Sequence, residues 1–324
     1  MRAEVTRALD AVRQAEWTLR GVDSALRASQ LALPPRDACE VVAKALLSVA
    51  SMIEEAAWLE PRGGAELTDA FQRHLGVWLY RSRLFARSHQ RTHAALPDPL
   101  LLEWIYELET ASGQDPDQPG IVNCLDYAFA RMQGTRGVWH QRRRLAQVVR
   151  GELIRRPGSV SVLHVAGGGA RYLADLVERA EGGRLHLTCV YEDAATLRLL
   201  EGRFGGGRVA GLTTIHGGVR GLAELAPARY DVILAPGALD SLADPEAREL
   251  LRALVGRLDA GAVLALSSPH PGDRSACLRR LVTGWSPIAR SERGLLALAP
   301  RYARVHTERS SEGSLAYLIG RGPE

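Results

Sequence analysis

The chain has 324 residues, of which 46% are hydrophobic and 24% are charged, and its formal net charge is +4. This length favours two domains over one, and no apolar run approaches the roughly 18–20 residues that cross a bilayer. The start of the chain is amphipathic and charged, without the apolar core of a secretory signal. We therefore expect a cytoplasmic protein with no membrane partner.

The basic residues do not form a pattern typical of nucleic-acid binding. Of the 41 lysines and arginines only Lys44 is a lysine, and only Arg142–Arg144 form a dense cluster. Such an arginine bias is typical of a GC-rich bacterial genome, and the net charge is mild, so we expect no nucleic-acid partner. The four cysteines lack CxxC spacing and no His/Cys cluster accompanies them, which predicts neither a metal site nor a disulfide framework.

The first half of the sequence reads as helices. Apolar residues recur at helical spacing through residues 1–155, interrupted by Pro34-Pro35, a turn at 61–64 and prolines at 97 and 99. We predict helices over 2–31, 37–59, 67–92, 100–110, 121–132 and 137–155. These helices suit a lid, a substrate domain or a dimer interface equally, so a homodimer is one expectation. We expect the domain boundary near 156.

Residues 156–324 show a different pattern, in which apolar strands alternate with helices. The predicted strands are 160–166, 185–191, 208–215, 231–235, 262–267, 301–308 and 314–320. The predicted helices between them are 170–181, 194–203, 219–225 and 244–258. The strands are apolar on both faces, as a buried parallel sheet requires. This alternation predicts an open α/β sheet with helices on both faces and a terminal hairpin.

The most informative stretch is Val160–Tyr172, VSVLHVAGGGARY. An apolar strand leads into three glycines, and a helical pattern begins directly after them. Glycine allows positive φ and lets a ligand approach the backbone, and a helix start offers unpaired N–H groups. The stretch therefore predicts a nucleotide-type cofactor site, and the absence of GxxxxGK[ST] argues against a P-loop.

Five stretches resemble, in the right order, class I S-adenosylmethionine (SAM) methyltransferases. They are VLHVAGGGAR, VYEDAATLRLL, IHGGVRGL, YDVILAPGALDSLAD and LDAGAVLALSS, within about 155–320. The resemblance implies a Rossmann-like seven-stranded class I methyltransferase sheet preceded by an all-α domain, and SAM as the cofactor.

The resemblance also implies cofactor contacts at particular residues. Ala166, Gly167, Gly168 and Gly169 correspond to the turn beside the methionine part of SAM. Tyr191, Glu192 and Asp193 correspond to the ribose-binding stretch, where Glu192 or Asp193 must serve as the ribose ligand. Glu192 is otherwise a solvated acid, and Asp193 otherwise caps the next helix. Gly218 and Val219 correspond to the adenine stretch, and Pro236, Gly237 and Asp240 to the loop after the fourth strand.

A narrower resemblance rests on two shorter stretches. GALDSL resembles "GLFDYL", and TGWSPIARSERGLLAL resembles "WxLxYRxxxEL". Both are features of a bacterial extracellular-factor group that includes 3-hydroxypalmitate methyl ester synthases and has relatives in natural-product biosynthesis. Some SAM-dependent azetidine-forming cyclases are similar in overall plan.

At three positions where the family pattern usually has an acidic residue, this sequence has a different residue. His164 stands where the first motif usually has Asp or Glu, which helps to hold the SAM amino group. Tyr191 stands at the usual ribose-binding acid, and Gly218 replaces the Asp that often faces the adenine amino group. These changes indicate that any bound SAM is held in an unusual way.

The candidate catalytic residues lie on both sides of the domain boundary. Asp240 is either a substrate ligand or base, or a helix cap. Tyr172 either points toward the cofactor or packs on the helical domain, and His164 is either a base or a hydrogen-bonded structural residue. Asn123 and Tyr127 share one helix face, and His140 lies on the helix before the sheet. These three are expected to contact the substrate or the SAM carboxylate if the helices close over SAM.

Three functional hypotheses follow. The first is methyl transfer from SAM to a small molecule, such as a carboxylate or hydroxyl of secondary metabolism. The second is a cyclase that releases methylthioadenosine and forms an azetidine amino acid, which the altered acid at His164 fits. The third is a non-catalytic scaffold with a vestigial pocket.

Overall fold

The computed structural model describes residues 2–29, 31, 33–90, 98–111, 114, 120–178, 182–217, 222, 228–300 and 304–322. Its helices are α1 (Arg2–Ser29), α2 (Arg36–Leu59), α3 (Gly64–Phe71), α4 (Val77–Leu79), α5 (Arg83–Gln90), α6 (Pro99–Thr110), α7 (Ile121–Arg131), α8 (Gln133–Arg155), α9 (Arg171–Leu176), α10 (Ala194–Phe204), α11 (Asp244–Val255), α12 (Ala276–Thr283) and α13 (Glu292–Leu298). Its strands are β1 (Val160–Val165), β2 (Leu185–Tyr191), β3 (Gly211–His216), β4 (Tyr230–Pro236), β5 (Leu258–Pro269), β6 (Arg304–Arg309) and β7 (Leu315–Arg321).

The chain divides into two compact units. The first contains Met1–Thr92, Trp104–Arg136 and Asp273–Ser286, and the second contains His93–Glu103, Gly137–Gly272 and Pro287–Glu324. This division differs from the predicted boundary near 156 in three ways. The start of α6, up to Glu103, and α8 from Gly137 onward belong to the sheet unit, and α12 belongs to the helical unit.

The helical unit is built on apolar faces that the sequence periodicity predicts. Leu19, Leu46, Phe71 and Leu125 are completely buried, on α1, α2, α3 and α7. Helix α12 joins this unit because its last turn is bonded there: the Gln72 side-chain amide donates to the Leu281 carbonyl oxygen at 2.5 Å. The sequence analysis predicted no helix at α12 or α13.

The single helix predicted over 67–92 is wrong. A π-helical turn at Gln72–Gly76 follows α3, and the chain breaks again after Leu79. The Ser82 hydroxyl donates to Asp126 at 2.5 Å and lies 3.4 Å from the Phe85 amide nitrogen, at the start of α5. A serine that bonds side chains and backbone in this way competes with helix continuation, which explains the break. Residues 91 and 92 lie outside the described residues.

The sheet unit has seven strands in the order β3-β2-β1-β4-β5-β7-β6. Neighbouring strands are parallel except β7, which is antiparallel to both β5 and β6. This confirms the predicted Rossmann-like class I methyltransferase sheet with an all-α region before it. His164 of β1 lies opposite Cys189 of β2 and Leu234 of β4, so the three strands end side by side.

Both faces of the sheet are covered. One apolar core includes Val162 and Leu187 together with Leu145, Val149 and Leu153 of α8. The other includes Leu163, Ile233 and Leu264 together with residues of α11 and α13. The amphipathic face of α8 therefore belongs to the sheet core, which is why this helix leaves the helical unit. Within the described part of the chain, no helix is long and apolar enough to span a membrane.

Several other bounds differ from the prediction. Of the helix predicted over 170–181, α9 covers Arg171–Leu176, and residues 179–181 and 301–303 lie outside the described residues. Strand β3 begins at 211 instead of 208, β5 is extended to 258–269, and α11 ends at 255. Of the helix predicted over 219–225, only Leu222 lies among the described residues.

The place of α8 on the sheet gives a stability prediction. Replacing Leu145, which is completely buried, with Ala leaves a cavity in the sheet core and should lower the free energy of unfolding by about 2–5 kcal/mol. The exposed neighbour Gln147 is the control, and Gln147→Ala should change it by less than about 0.5 kcal/mol. Urea unfolding of both variants measures this, and equal stabilities would contradict the packing of α8 on the sheet.

Candidate functional site

The turn after β1 has an unusual backbone. Ala166, Gly167, Gly168 and Ala170 have φ angles of 61°, 80°, 71° and 49°. A residue with a Cβ in this left-handed region costs about 1–2 kcal/mol, and two of these four are alanines. Such strain persists only where surrounding interactions hold the backbone, and it concentrates at functional sites.

Tyr191, the last residue of β2, supports this turn from inside the protein. Its hydroxyl oxygen lies 2.5 Å from the carbonyl oxygen of Ala166, 2.5 Å from that of Gly168 and 2.5 Å from Nδ1 of His164. The carbonyls can only accept, so the single hydroxyl proton is shared between them. The hydroxyl oxygen then accepts a hydrogen bond from His164 Nδ1–H.

This arrangement fixes the state of His164. Because Nδ1 carries the proton, Nε2 accepts a hydrogen bond from the Tyr172 hydroxyl. The rings of His164 and Tyr191 stack with centroids 5.5 Å apart. Complete burial lowers the pKa of His164 from 6.5 to about 3, so the imidazole is neutral. The geometry of His164 is thus that of a hydrogen-bonded structural residue, which is buried and bridges two tyrosines.

Tyr172 is part of the same buried group. Its side chain is 1% exposed, and it belongs to the core on the α8 face of the sheet. Tyr172 is therefore packed beneath the turn in the sheet core, with its hydroxyl on His164.

Side chains of the protein occupy the space that the glycines leave free. A Cβ on Gly167 would lie 2.3 Å from Cγ of Pro236, and a Cβ on Gly168 would lie 2.3 Å from Cδ1 of Leu102. A Cβ on Gly169 would lie 2.7 Å from Nη1 of Arg203. The glycines are therefore required for close packing, and a ligand that reaches the backbone at Gly168 must displace Leu102.

The two acids after β2 differ in their environment. Asp193 caps α10, because its carboxylate accepts hydrogen bonds from the amide nitrogens of Ala195 at 3.0 Å and Thr196 at 2.8 Å. Glu192 is exposed, and its side chain has no hydrogen-bond partner among the described residues. Glu192 is therefore the acid that is available to a ligand.

The loop after β4 lies at the same edge of the sheet. Gly237 has a φ of 74°, and its amide nitrogen donates to the Ser267 carbonyl oxygen at 3.2 Å. Asp240 is 5% exposed, and its Oδ2 lies 3.4 Å from the position of a Cβ on Gly237. Asp240 does not begin α11, which starts at Asp244. Gly218 and Val219 lie outside the described residues.

The predicted residues of the helical region fall in different units. Asn123 is completely buried in the helical unit. In the same unit the Tyr127 hydroxyl donates to Glu40 at 2.5 Å and accepts from Arg36 at 3.3 Å. This hydrogen bond lowers the pKa of Glu40. His140 belongs to the sheet unit, where its Nδ1 lies 2.9 Å from the Tyr317 hydroxyl.

The site therefore consists of three elements at the carboxyl ends of neighbouring strands. The turn follows β1, Glu192 follows β2, and the 236–240 loop follows β4. In open α/β sheets, ligands bind at this edge where the strand order reverses, which here is between β1 and β4. The turn backbone can hold a polar ligand group and Glu192 can accept from two ribose hydroxyls, so these residues fit a nucleoside-type cofactor once Leu102 moves.

Leu102, Glu103 and Arg203 were not predicted from the sequence as residues of the site. They lie on α6 and α10, far in sequence from the glycines, and no local motif marks them. The departure of Tyr191 from the family pattern marked this residue as unusual, but its hydrogen bonds to the turn could not be predicted from the sequence.

No family model matches the chain, and no curated protein matches it. Among solved structures, a possible exported protein from Bordetella parapertussis is 17% identical, covers 87% of this chain and 97% of its own, and has a TM-score of 0.58. The N-methyltransferase NodS from Bradyrhizobium japonicum WM9 is 15% identical over 57% of this chain and 97% of its own, with a TM-score of 0.41. Magnesium protoporphyrin IX methyltransferase (ChlM) from Synechocystis PCC 6803 with bound S-adenosylhomocysteine (SAH) is 13% identical over 57% and 84%, with a TM-score of 0.45. At these sequence identities, the similarity to the solved structures shows a shared fold alone.

The hydroxyl of Tyr191 gives a second prediction. Tyr191→Phe removes the donor shared by the Ala166 and Gly168 carbonyls and should lower the free energy of unfolding by about 1–3 kcal/mol. Tyr230→Phe is the control, because the Tyr230 hydroxyl has no hydrogen-bond partner among the described residues. Chemical unfolding at neutral pH compares the stabilities of the two variants. If Tyr191→Phe lowered the free energy of unfolding as little as Tyr230→Phe, Tyr191 would not support the turn.

The low pKa of His164 gives a third prediction. In the unfolded chain this imidazole takes up a proton below pH 6.5, whereas in the folded protein it does so only near pH 3. Its contribution is therefore full above pH 6.5 and is lost as the pH falls toward 3, by up to about 1.4 kcal/mol per pH unit. His164→Gln offers a donor and an acceptor but does not titrate. Urea unfolding between pH 6 and 4 should show a shallower slope for this variant, and parallel slopes would refute the prediction.

Proposed function

We propose that the protein is a SAM-dependent enzyme that methylates a small molecule. The observation that carries this proposal is the strained turn after β1, which is braced by Tyr191 and lies at the same sheet edge as the unpaired acid Glu192. A strained backbone at the switch point of a class I methyltransferase sheet is the arrangement expected of a cofactor site. That some neighbours in fold are methyltransferases, one with bound SAH, accords with this proposal.

Each element has a proposed part. The turn backbone at Gly167–Gly169 holds the methionine part of the ligand, and Glu192 accepts hydrogen bonds from the ribose hydroxyls. SAM supplies a methyl group made electrophilic by its sulfonium, so the chain needs mainly to orient the acceptor and exclude water. Asp240, almost buried beside Gly237, takes the proton when the acceptor is a hydroxyl.

A second candidate is the cyclase that releases methylthioadenosine and forms an azetidine amino acid. It is favoured by His164, because the group at this position is neutral and bonded on both ring nitrogens. No carboxylate stands there to hold a ligand ammonium in the usual place. We propose small-molecule acceptors of bacterial secondary metabolism for the first candidate, and SAM alone as the substrate for the second.

One incubation distinguishes these candidates. The purified protein is mixed with SAM, with and without a panel of small carboxylate and hydroxyl acceptors, and the products are analysed by mass spectrometry. SAH that forms only with an acceptor supports the methyltransferase, and methylthioadenosine that forms without an acceptor supports the cyclase. Failure of both SAM and SAH to bind in calorimetry overturns both candidates and leaves the scaffold hypothesis.

The proposed role of Glu192 gives a fourth prediction. Glu192→Gln replaces a charged acceptor of two hydroxyl protons by a neutral one, so the affinity for SAH should fall about tenfold. Glu249, which is exposed on α11 at a distance in sequence from the site, is the control, and Glu249→Gln should bind SAH like the unmodified protein. Calorimetric titration measures both, and an unchanged affinity of Glu192→Gln would remove Glu192 from the site.

A further inference from the structure

A carboxylate of the chain itself lies beside the glycine turn. Oε2 of Glu103, near the start of α6, is 2.8 Å from Nη2 of Arg203 and 3.3 Å from Nη1 of Arg171. Its Oε1 lies 3.1 Å from the position that a Cβ on Gly169 would take. The side chains of Glu103 and Arg203 are each 13% exposed. This ion pair is therefore largely removed from water at the edge of the proposed cofactor site.

The carboxylate fits this place poorly. Oε1 of Glu103 is buried and has no hydrogen-bond partner among the described residues. A buried carboxylate oxygen without a donor is costly. Arg203 is better satisfied, because its Nη1 also donates to the Gly169 carbonyl oxygen. The arginine is thus fixed to the turn, whereas its acidic partner is the weaker part of the contact.

Positive charge exceeds negative charge around this pair. Arg171 also lies 3.7 Å from Asp175, but the Asp175 carboxylate is already bonded by Arg142 at 2.6 Å and 2.8 Å. On the outer side, a groove of about 630 Å³ is lined by four arginines and one acid, together with apolar residues: Arg171, Arg198, Arg203, Arg208, Glu178, Ala174, Val177, Leu199 and Gly202. An anionic group is favoured there over a cationic one.

We propose that Arg203 and Arg171 form a carboxylate-binding site next to the glycine turn. Glu103 competes for this site with the carboxylate of a ligand that carries an amino-acid part. This inference rests on the proposed function and names the residues that take the carboxylate of SAM or SAH. A guanidinium group matches a carboxylate with two parallel hydrogen bonds, so a ligand carboxylate can replace that of Glu103 directly.

Leu102 couples this exchange to the turn. It precedes Glu103 on α6 and fills the space above Gly168. Withdrawal of these two adjacent residues therefore exposes the turn backbone and both guanidinium groups in one movement. The start of α6 acts as an internal competitor for the amino-acid end of the ligand, and does not contact the nucleoside end at Glu192.

Calorimetry with two ligands tests this proposal. SAH carries the carboxylate, and methylthioadenosine lacks the whole amino-acid part. Arg203→Gln should lower the affinity for SAH about tenfold or more and leave that for methylthioadenosine within about twofold, because one charge-assisted interaction is lost only with SAH. Glu103→Gln should raise the affinity for SAH several-fold. Arg252→Gln, at an exposed arginine of α11 outside the groove, is the control and should change neither affinity.

The outcomes separate this inference from the proposed function. If Arg203→Gln fails to fold, the double variant Arg203→Gln/Glu103→Gln, which removes both charges of the ion pair, replaces it with the same expectation. An unchanged ratio of SAH to methylthioadenosine affinity, or weaker SAH binding by Glu103→Gln, overturns the carboxylate site and leaves the proposed function standing. If neither ligand binds to the unmodified protein or to Leu102→Ala, the proposed function falls, and this inference falls with it.

Discussion

The hydroxyl of Tyr191 is the interaction on which the candidate site depends. It reaches from the end of β2 to two carbonyl oxygens of the turn after β1. Those carbonyls belong to residues with positive φ, one of them an alanine. Without a buried donor beneath it, such a backbone would relax toward ordinary φ angles. The neighbouring strand therefore maintains a turn conformation that its own residues do not prefer.

The same network changes the electrostatics of the site. Three rings, those of Tyr172, His164 and Tyr191, occupy the place beneath the turn, and burial keeps the imidazole neutral by lowering its pKa. The family pattern has an acid at position 164, whereas here the charged groups beside the turn are Arg203 and Arg171 with Glu103. The turn thus lies near positive charge on its outer side, and the described residues beneath it are the neutral rings of Tyr172, His164 and Tyr191. A ligand with both an ammonium and a carboxylate is expected to bind by its carboxylate, which agrees with the unusual pose that the sequence departures suggest.

Much of the sheet was predictable from the sequence, because buried parallel strands are short apolar runs and the glycines mark the turn between β1 and α9. The positions of the strands along the chain and the terminal hairpin followed from these local signals, whereas the seven-stranded class I sheet was implied by the resemblance. The packing of α8 on the sheet was not predictable, since an amphipathic helix has the same sequence pattern whether its apolar face contacts other helices or a sheet. The break after α4 depends on Ser82 and Asp126, which are 44 positions apart. Similarly, nothing local to Leu102 or Glu103 indicates the contact with glycines more than 60 residues away.

Hydrogen exchange with and without SAH tests the central claim most directly, namely that the turn braced by Tyr191 is the cofactor site. The account predicts that SAH slows exchange at the amides of Gly167–Ala170 and around Glu192, and speeds exchange at the start of α6 as Leu102 and Glu103 withdraw. Binding of SAH without protection of the turn, or with protection confined to the helical unit, would contradict it.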